Sequence, residues 1–309
     1  MRTQRRDWTE LPVIVSREVE YRLGSAVQDF EERQGGFSLG VLGVATLATG
    51  DQVFIKAIRD DAANVHDYRT EMVVAGALPQ TVPTPGLRFA CEPAGWLLLC
   101  FDVAPGALPH EPWWPDELSA ALEALAVCAR ELTPSPIGGL PTLAEQMAGR
   151  CETWRELERN GVWGGVTVDS MGEWERKHLS RLASIEAMWS ELAVGDTLLH
   201  FDLRFDNILV SPRGTAHIID WGRACIGPAW VDLVCLLLQS DLGDLDPEEI
   251  FSGNPVGEAA EPEQVDAFLV ALASYWTHTA SLPGLAHAPH LRDRREYSRR
   301  ATIGWLQRR

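Results

Sequence analysis

The stretch that most limits what this chain can fold into runs from His200 to Asp220 and reads HFDLRFDNILVSPRGTAHIID. Ile208–Val210 and Ala216–Ile219 are short β-rich runs separated by Ser211-Pro212-Arg213-Gly214, a strong turn signal. The pattern predicts a hairpin. Closing it brings Asn207, at the start of one strand, beside Asp220 at the end of the other. The loop from His200 to Asp206 then covers the same end. Three oxygen-bearing side chains, Asp202, Asn207 and Asp220, are expected to converge there.

Taken singly, Asp, Asn and His are ordinary loop residues. Taken together, H-x-D-x-x-x-x-N followed by a strand-borne Asp is the arrangement of protein-kinase-type phosphoryl transfer. That chemistry asks for one group to accept the proton of an attacking hydroxyl, which points to Asp202 as the catalytic residue. It also asks for oxygen ligands that hold Mg2+ against the phosphates of ATP or GTP, which points to Asn207 and Asp220.

A kinase-type site also needs a phosphate cover and a cation. Gly35-Gly36-Phe37-Ser38-Leu39-Gly40 can supply the cover through backbone N–H groups, with Gly36 and Ser38 as nucleotide-binding candidates; an ordinary hairpin turn is the other reading. Lys56 lies in the apolar strand VFIKAI, and of the 27 basic residues only it and Lys177 are lysine. Glu71 follows 15 residues later inside an expected helix, and Asp60, Asp61 and Asp67 compete with it nearby. A strand lysine paired with a helix glutamate aims an ammonium group at nucleotide phosphates. Leu97–Asp102 runs toward a lobe junction, making Cys100 and Asp102 hinge candidates for nucleotide contact through the backbone.

The regular elements divide in two. Up to residue 103, the sequence reads as a helix at Leu11–Leu23, apolar runs at Val41–Ala48 and Val53–Ile58, a helix at Asn64–Leu78 capped by Asn64, and strands at Leu87–Cys91 and Trp96–Phe101. From residue 104 on, helices are expected over Pro115–Leu132, Thr142–Arg159, Met171–Leu192, Ala229–Gln239, Glu261–Ser281 and Arg292–Gln307, with Asp241–Glu263 as an acid-rich loop. The expectation is an α+β chain with a nucleotide-clamping lobe, residues 1–103, built on a small antiparallel sheet. A larger, mainly helical catalytic lobe, residues 104–309, would carry the acceptor site.

Composition narrows the partners. A net charge of −17, with 44 acidic against 27 basic residues, disfavours nucleic acid and anionic membrane. It suits a cationic small acceptor, although such acids also form solvated faces. MRTQRRDWTE lacks the apolar stretch of a secretory signal, and the six cysteines show no C-x-x-C pair, so a reduced, cytoplasmic monomer or homodimer is expected.

QGGFSLG, VFIKAI, YRTEMVVAGALP, LLHFDLRFDNILV, HIIDWG and GPAWVDL occur in the order found in the aminoglycoside phosphotransferase family. The chain resembles that antibiotic-kinase branch of the protein-kinase-like fold from about residue 34 to 240. The resemblance implies that His200 braces the catalytic loop and that Asp232 is a structural aspartate tying it in place. Trp221 stands where protein kinases have the Phe of D-F-G, and no Ala-Pro-Glu follows, so an activation segment is not expected. In this respect the chain also resembles choline and homoserine kinases. The implied function is transfer of a γ-phosphoryl group to a hydroxyl of a small molecule. An antibiotic acceptor, with resistance as the result, is the first reading. A metabolic choline-, homoserine- or sugar-like acceptor, or a catalytically silent nucleotide-binding protein, remains open.

Overall fold

A computed structural model describes residues 7–33, 40–284 and 290–309. The chain opens with α1 (Val13–Leu23), ended by Gly24 in the left-handed region at φ 65°. Five strands follow: β1 (Val27–Glu32), β2 (Val41–Leu47), β3 (Gln52–Arg59) and, after helix α2 (Val65–Ala75), β4 (Leu87–Cys91) and β5 (Trp96–Asp102). They form one sheet in the order β1-β2-β3-β5-β4, every pair antiparallel. Asn64 occupies the cap position of α2, but its side chain makes no capping hydrogen bond, contrary to expectation. Helix α3 (Pro115–Glu131) buries Leu118, Ala121, Leu125 and Cys128, a stripe at helical spacing.

Period-two alternation decides what each face of the sheet does. Val53, Ile55 and Ala57 of β3 and Trp96, Leu98 and Cys100 of β5 join a core with Val15 and Val19 of α1. Ile58, Leu97, Leu99 and Phe101 pack on the opposite face with Tyr68 of α2. Lys56 falls between Phe54 and Ile58, so its side chain belongs to the α2 face.

Beyond residue 131, α4 (Leu143–Gln146) and α5 (Thr153–Asn160) replace the single helix expected over Thr142–Arg159. Gly149, at φ 70°, interrupts the run. Next come β6 (Val162–Trp163) and β7 (Val166–Thr167), a hairpin turned by Gly164 and Gly165 at positive φ. The helix expected over Met171–Leu192 is likewise two, α6 (Glu173–Glu186) and α7 (Trp189–Leu192). Then follow β8 (Thr197–Leu199), β9 (Ile208–Val210), β10 (Ala216–Ile218), β11 (Cys225–Gly227) and α8 (Trp230–Leu238). The acid-rich stretch expected as loop contains α9 (Pro247–Ser252) and α10 (Pro255–Glu258), before α11 (Pro262–Ser281) and α12 (Leu291–Arg308).

Two compact units emerge. The first comprises residues 1–110, 114–131 and 205–224, and so combines the five-stranded sheet with α3 and the β9–β10 hairpin. The second comprises residues 111–113, 132–204 and 225–309. In the second, Trp154, Leu157, Leu182, Val270, Ala273 and Ile303 form a core, and Trp154 donates its indole N–H to the Val270 carbonyl at 3.0 Å. Glu186, buried at the end of α6, accepts the amides of Trp154 and Arg155 and so caps α5 from outside. Among the described residues no helix is long and apolar enough to cross a membrane, and the six cysteines are free.

Candidate active site

In the first unit, Lys56 is the centre of a buried charge cluster. Its ammonium lies 2.5 Å from Glu71 Oε2 and 2.7 Å from Asp220 Oδ1, and 5.2 Å from the centroid of the Tyr68 ring. Lys56 is 6 % exposed and Glu71 3 %, whereas the Asp220 side chain is 46 % exposed. Burial alone would lower the Lys56 ammonium, but Asp220 and Glu71 outweigh it and raise its pKa. Burial pushes Glu71 up to about 7 against the pull of Lys56. The lysine therefore stays charged, with one solvent-facing carboxylate and one buried carboxyl group that changes charge near neutrality.

The hairpin delivers Asp220 to this point. Ile208 pairs with Ile218, Leu209 with His217 and Val210 with Ala216, and the Ile219 amide donates to the Asn207 carbonyl at 3.0 Å. Asn207 and Asp220 thus sit at one end of the hairpin, as the spacing predicts. The hairpin is pinned beside Pro83 and Thr84: the Ile218 amide donates to the Pro83 carbonyl (2.7 Å), and Trp221 Nε1 donates to Thr84 Oγ1 (3.3 Å). Asp220 adopts φ 68° and ψ 62°, a left-handed conformation that Asp tolerates better than most residues. Gly222 follows, where an added Cβ would lie 2.9 Å from the Asp67 carbonyl of α2. Arg223 pairs with Asp67 at 3.3 Å, so α2 is tied to the turn after Asp220. The sequence reading did not single out this tie.

In the second unit, β8 pairs with β11 and leads into the loop carrying Asp202. The amides of His200 and Phe201 donate to Asp232 Oδ2 (2.7 Å) and Oδ1 (2.8 Å). Asp232 lies in the first turn of α8, a helix buried all round, and burial raises its pKa against His200 and the two amides. The Asp202 amide donates to His200 Nδ1 at 3.2 Å, which assigns the ring proton to Nε2 in the neutral form. Arg204 lies 3.6 Å from Asp202 Oδ2 with its side chain 13 % exposed.

The other candidates are placed as follows. Gly36 and Ser38 lie outside the described residues. The Cys100 thiol faces the α1-side core and burial pushes it up to about 12, so only backbone there can meet a ligand. Asp102 ends β5, donates its amide to Gly86 and accepts from Arg88 Nε at 2.6 Å. In the acid-rich stretch Asp241–Glu263, Asp246 caps α9 and pairs with Arg308, and Glu248 binds Arg309 and the Trp305 indole. Trp154 and Trp305 are fully buried core residues.

Asp220 and Asn207 offer hard oxygen donors. Among the described residues no group of three His, Cys, Asp or Glu side chains gathers as a metal cage. Two oxygen side chains would suit a magnesium ion, which takes few protein ligands and would draw its others from water and phosphate.

A sequence profile of the phosphotransferase enzyme family matches residues 44–282. No curated protein sequence matches the chain. Solved structures similar to it include a thermostable mutant of aminoglycoside phosphotransferase APH(4)-Ia with AMP-PNP and hygromycin B (13% identity, TM-score 0.62, covering 96% of this chain and 98% of that one). Choline kinase LicA from Streptococcus pneumoniae is similar too (15% identity, TM-score 0.61, 96% and 98%). Spectinomycin phosphotransferase APH(9)-Ia is a third (14% identity, TM-score 0.58, 95% and 98%). The fold is thus the bilobal α+β fold of protein-kinase type. With residues 44–282 inside the family profile, the chain belongs to the phosphotransferase enzyme family, that of the aminoglycoside phosphotransferases, and is a small-molecule kinase.

Proposed function

We propose that the protein transfers the γ-phosphoryl group of ATP, or of GTP, to a hydroxyl of a small antibiotic and thereby inactivates it. The observation that carries the phosphoryl-transfer reading is the buried lysine bridging Glu71 and Asp220, 15 and 164 residues away. Lys56 binds the nucleotide phosphates, Glu71 orients it, and Gly36, Ser38 and the backbone at Cys100 and Asp102 complete the nucleotide contacts. Residues 1–103 clamp the nucleotide, and residues 104–309 carry the catalytic groups and bind the acceptor.

The acceptor oxygen attacks the γ-phosphorus, the bond from phosphorus to the β-phosphate bridging oxygen breaks, and the nucleoside diphosphate leaves. The hydroxyl proton passes to the Asp202 carboxylate, held ready by the amide contacts of its loop to His200 and Asp232. Asn207 and Asp220 would hold Mg2+, which would supply positive charge against the phosphates. Positioning and fixed charge account for most of the rate gain in such a transfer. An acidic chain with no cysteine pairs suits a cationic acceptor and a cytoplasmic location.

A metabolic acceptor is the second reading, because choline kinase LicA superposes as well as the antibiotic kinases do. The deciding experiment incubates the protein with MgATP and a panel of hydroxylated antibiotics and amino alcohols, read by mass spectrometry for one added phosphate. Phosphorylation of choline alone would reject the antibiotic reading. ATP binding without transfer to any compound would reject catalysis.

A further inference from the structure

Phe201 adopts φ +62°, a conformation in which a bulky L-residue is an outlier. The cause lies on both sides of it. Asp232 takes the amides of His200 and Phe201 on its two oxygens, and the Asp202 amide turns back onto His200 Nδ1. Three consecutive amides are consumed within one turn, and the backbone reaches them only by bending through the left-handed region at residue 201. Glycine would make that bend at no steric cost. The chain carries an aromatic ring there instead. Strain of this kind persists where surrounding contacts over-determine it, and it clusters at active sites and ligand clamps.

Burial along the loop alternates around it. His200 and Leu203 are buried at 1 % exposure, whereas Phe201 and Asp202 between them are both partly exposed. Two successive residues of the bend, one bearing an arene and one a carboxylate, thus each keep part of their surface exposed, on a loop whose backbone Asp232 fixes. We propose that the Phe201 ring forms a wall of the acceptor subsite. Its face takes either the C–H face of a saturated ring or an alkylated ammonium group of the hydroxyl compound, setting the hydroxyl against Asp202. This rests on Asp202 being the proton-accepting carboxylate. A group packed on an arene face fits both sources, and an apolar residue of similar size tells them apart.

The test compares Phe201→Ala, Phe201→Gly, Phe201→Leu, Phe201→Tyr and Asp202→Asn with the wild type, using hygromycin B, spectinomycin and choline as acceptor probes. Expected for Phe201→Ala is a ratio of acceptor KM to nucleotide KM raised about tenfold, as for loss of one well-packed aromatic contact. Its melting temperature should stay within about 2 °C of wild type, with Phe201→Gly above Phe201→Ala because strain is relieved. Phe201→Tyr should restore the ratio. Phe201→Leu should restore it if a saturated ring packs there, and fail to if an ammonium group does.

A melting temperature lowered by about 5 °C or more in Phe201→Ala, with both KM values moving together, would make the ring a packing element and overturn the proposal. So would an unchanged KM ratio, or a wild type that turns over ATP yet phosphorylates none of the three probes. Full transfer by Asp202→Asn would instead remove the reading on which the proposal rests, and the proposal with it.

Discussion

Lys56 and Asp220 share a 2.7 Å ion pair across 164 residues of sequence. The strand register of β3 turns the lysine toward α2, and the β9–β10 hairpin turns the aspartate toward the lysine. Replacing Lys56 by Met should weaken ADP binding about tenfold or more, since a charged hydrogen bond contributes roughly 1.5–3 kcal/mol. Adenosine, which has no phosphate, should bind as before. Calorimetric titration with both ligands checks this, and equal weakening of adenosine would show that Lys56 acts through the fold.

Asp202→Asn removes the proposed proton acceptor and keeps the side chain's size. Turnover should fall by a factor of roughly 10²–10⁴, the usual share of general-base catalysis. Nucleotide affinity should be unaffected. Rapid-quench measurement of a single turnover separates the chemical step from product release, and an unaltered chemical step would sink the role assigned to Asp202.

Asp232 accepts two amides on two oxygens. Asparagine at this position has one oxygen, so its NH2 must face the other amide, donor against donor. Leaving one buried amide unsatisfied costs about 1–3 kcal/mol. Asp232→Asn should therefore lower the denaturation midpoint and the turnover rate together while nucleotide affinity holds. A stable variant with normal turnover would show that the double acceptance is dispensable.

Much of this site was legible because its parts obey short-range rules. The apolar neighbours of Lys56 in VFIKAI marked a strand that holds it on the sheet, and turn chemistry at Ser211–Gly214 closed the hairpin. Glu71 followed from its place in the helix, although Asp67, a competitor in sequence, proved to pair with Arg223. The reading failed where a local signal was present but outvoted by composition. Asp246-Pro247 and Asn254-Pro255 each begin a helix with Pro in its first turn, yet the surrounding acids made the stretch look like loop. The left-handed bend at Phe201 had no local signal. It is imposed by Asp232, 31 residues away, and propensity at residue 201 argues against it.

Gly222 matters for its missing side chain. A Cβ there would meet the Asp67 carbonyl at 2.9 Å, so Gly222→Ala must push α2 away from the turn. The expected loss is about 1–3 kcal/mol, typical of overpacking. Because Glu71 rides on α2, nucleotide affinity should fall as well. Thermal unfolding with and without ADP checks both effects, and a variant with unchanged stability and affinity would show the turn to be compliant.

Glu71 gives the site a pH signature. Its folded-state pKa, about 7, lies above the ordinary 4.5 because burial outweighs the pull of Lys56. The folded chain therefore holds this proton over a range in which the unfolded chain has lost it. Stability from this group is complete below about pH 4.5 and is lost as the pH rises through 7. Glutamine at 71 stays neutral throughout. The stability of Glu71→Gln relative to wild type should then climb between pH 5 and 8, by on the order of 3 kcal/mol at the upper end. Lys56, held charged by Asp220 as well, contributes no change of its own in that window. Denaturant unfolding of both proteins at pH 5, 6, 7 and 8 reads the difference directly. A difference that stays flat across the series would mean that Glu71 is ionised throughout, and Lys56 would then be neutralised by two carboxylates rather than one.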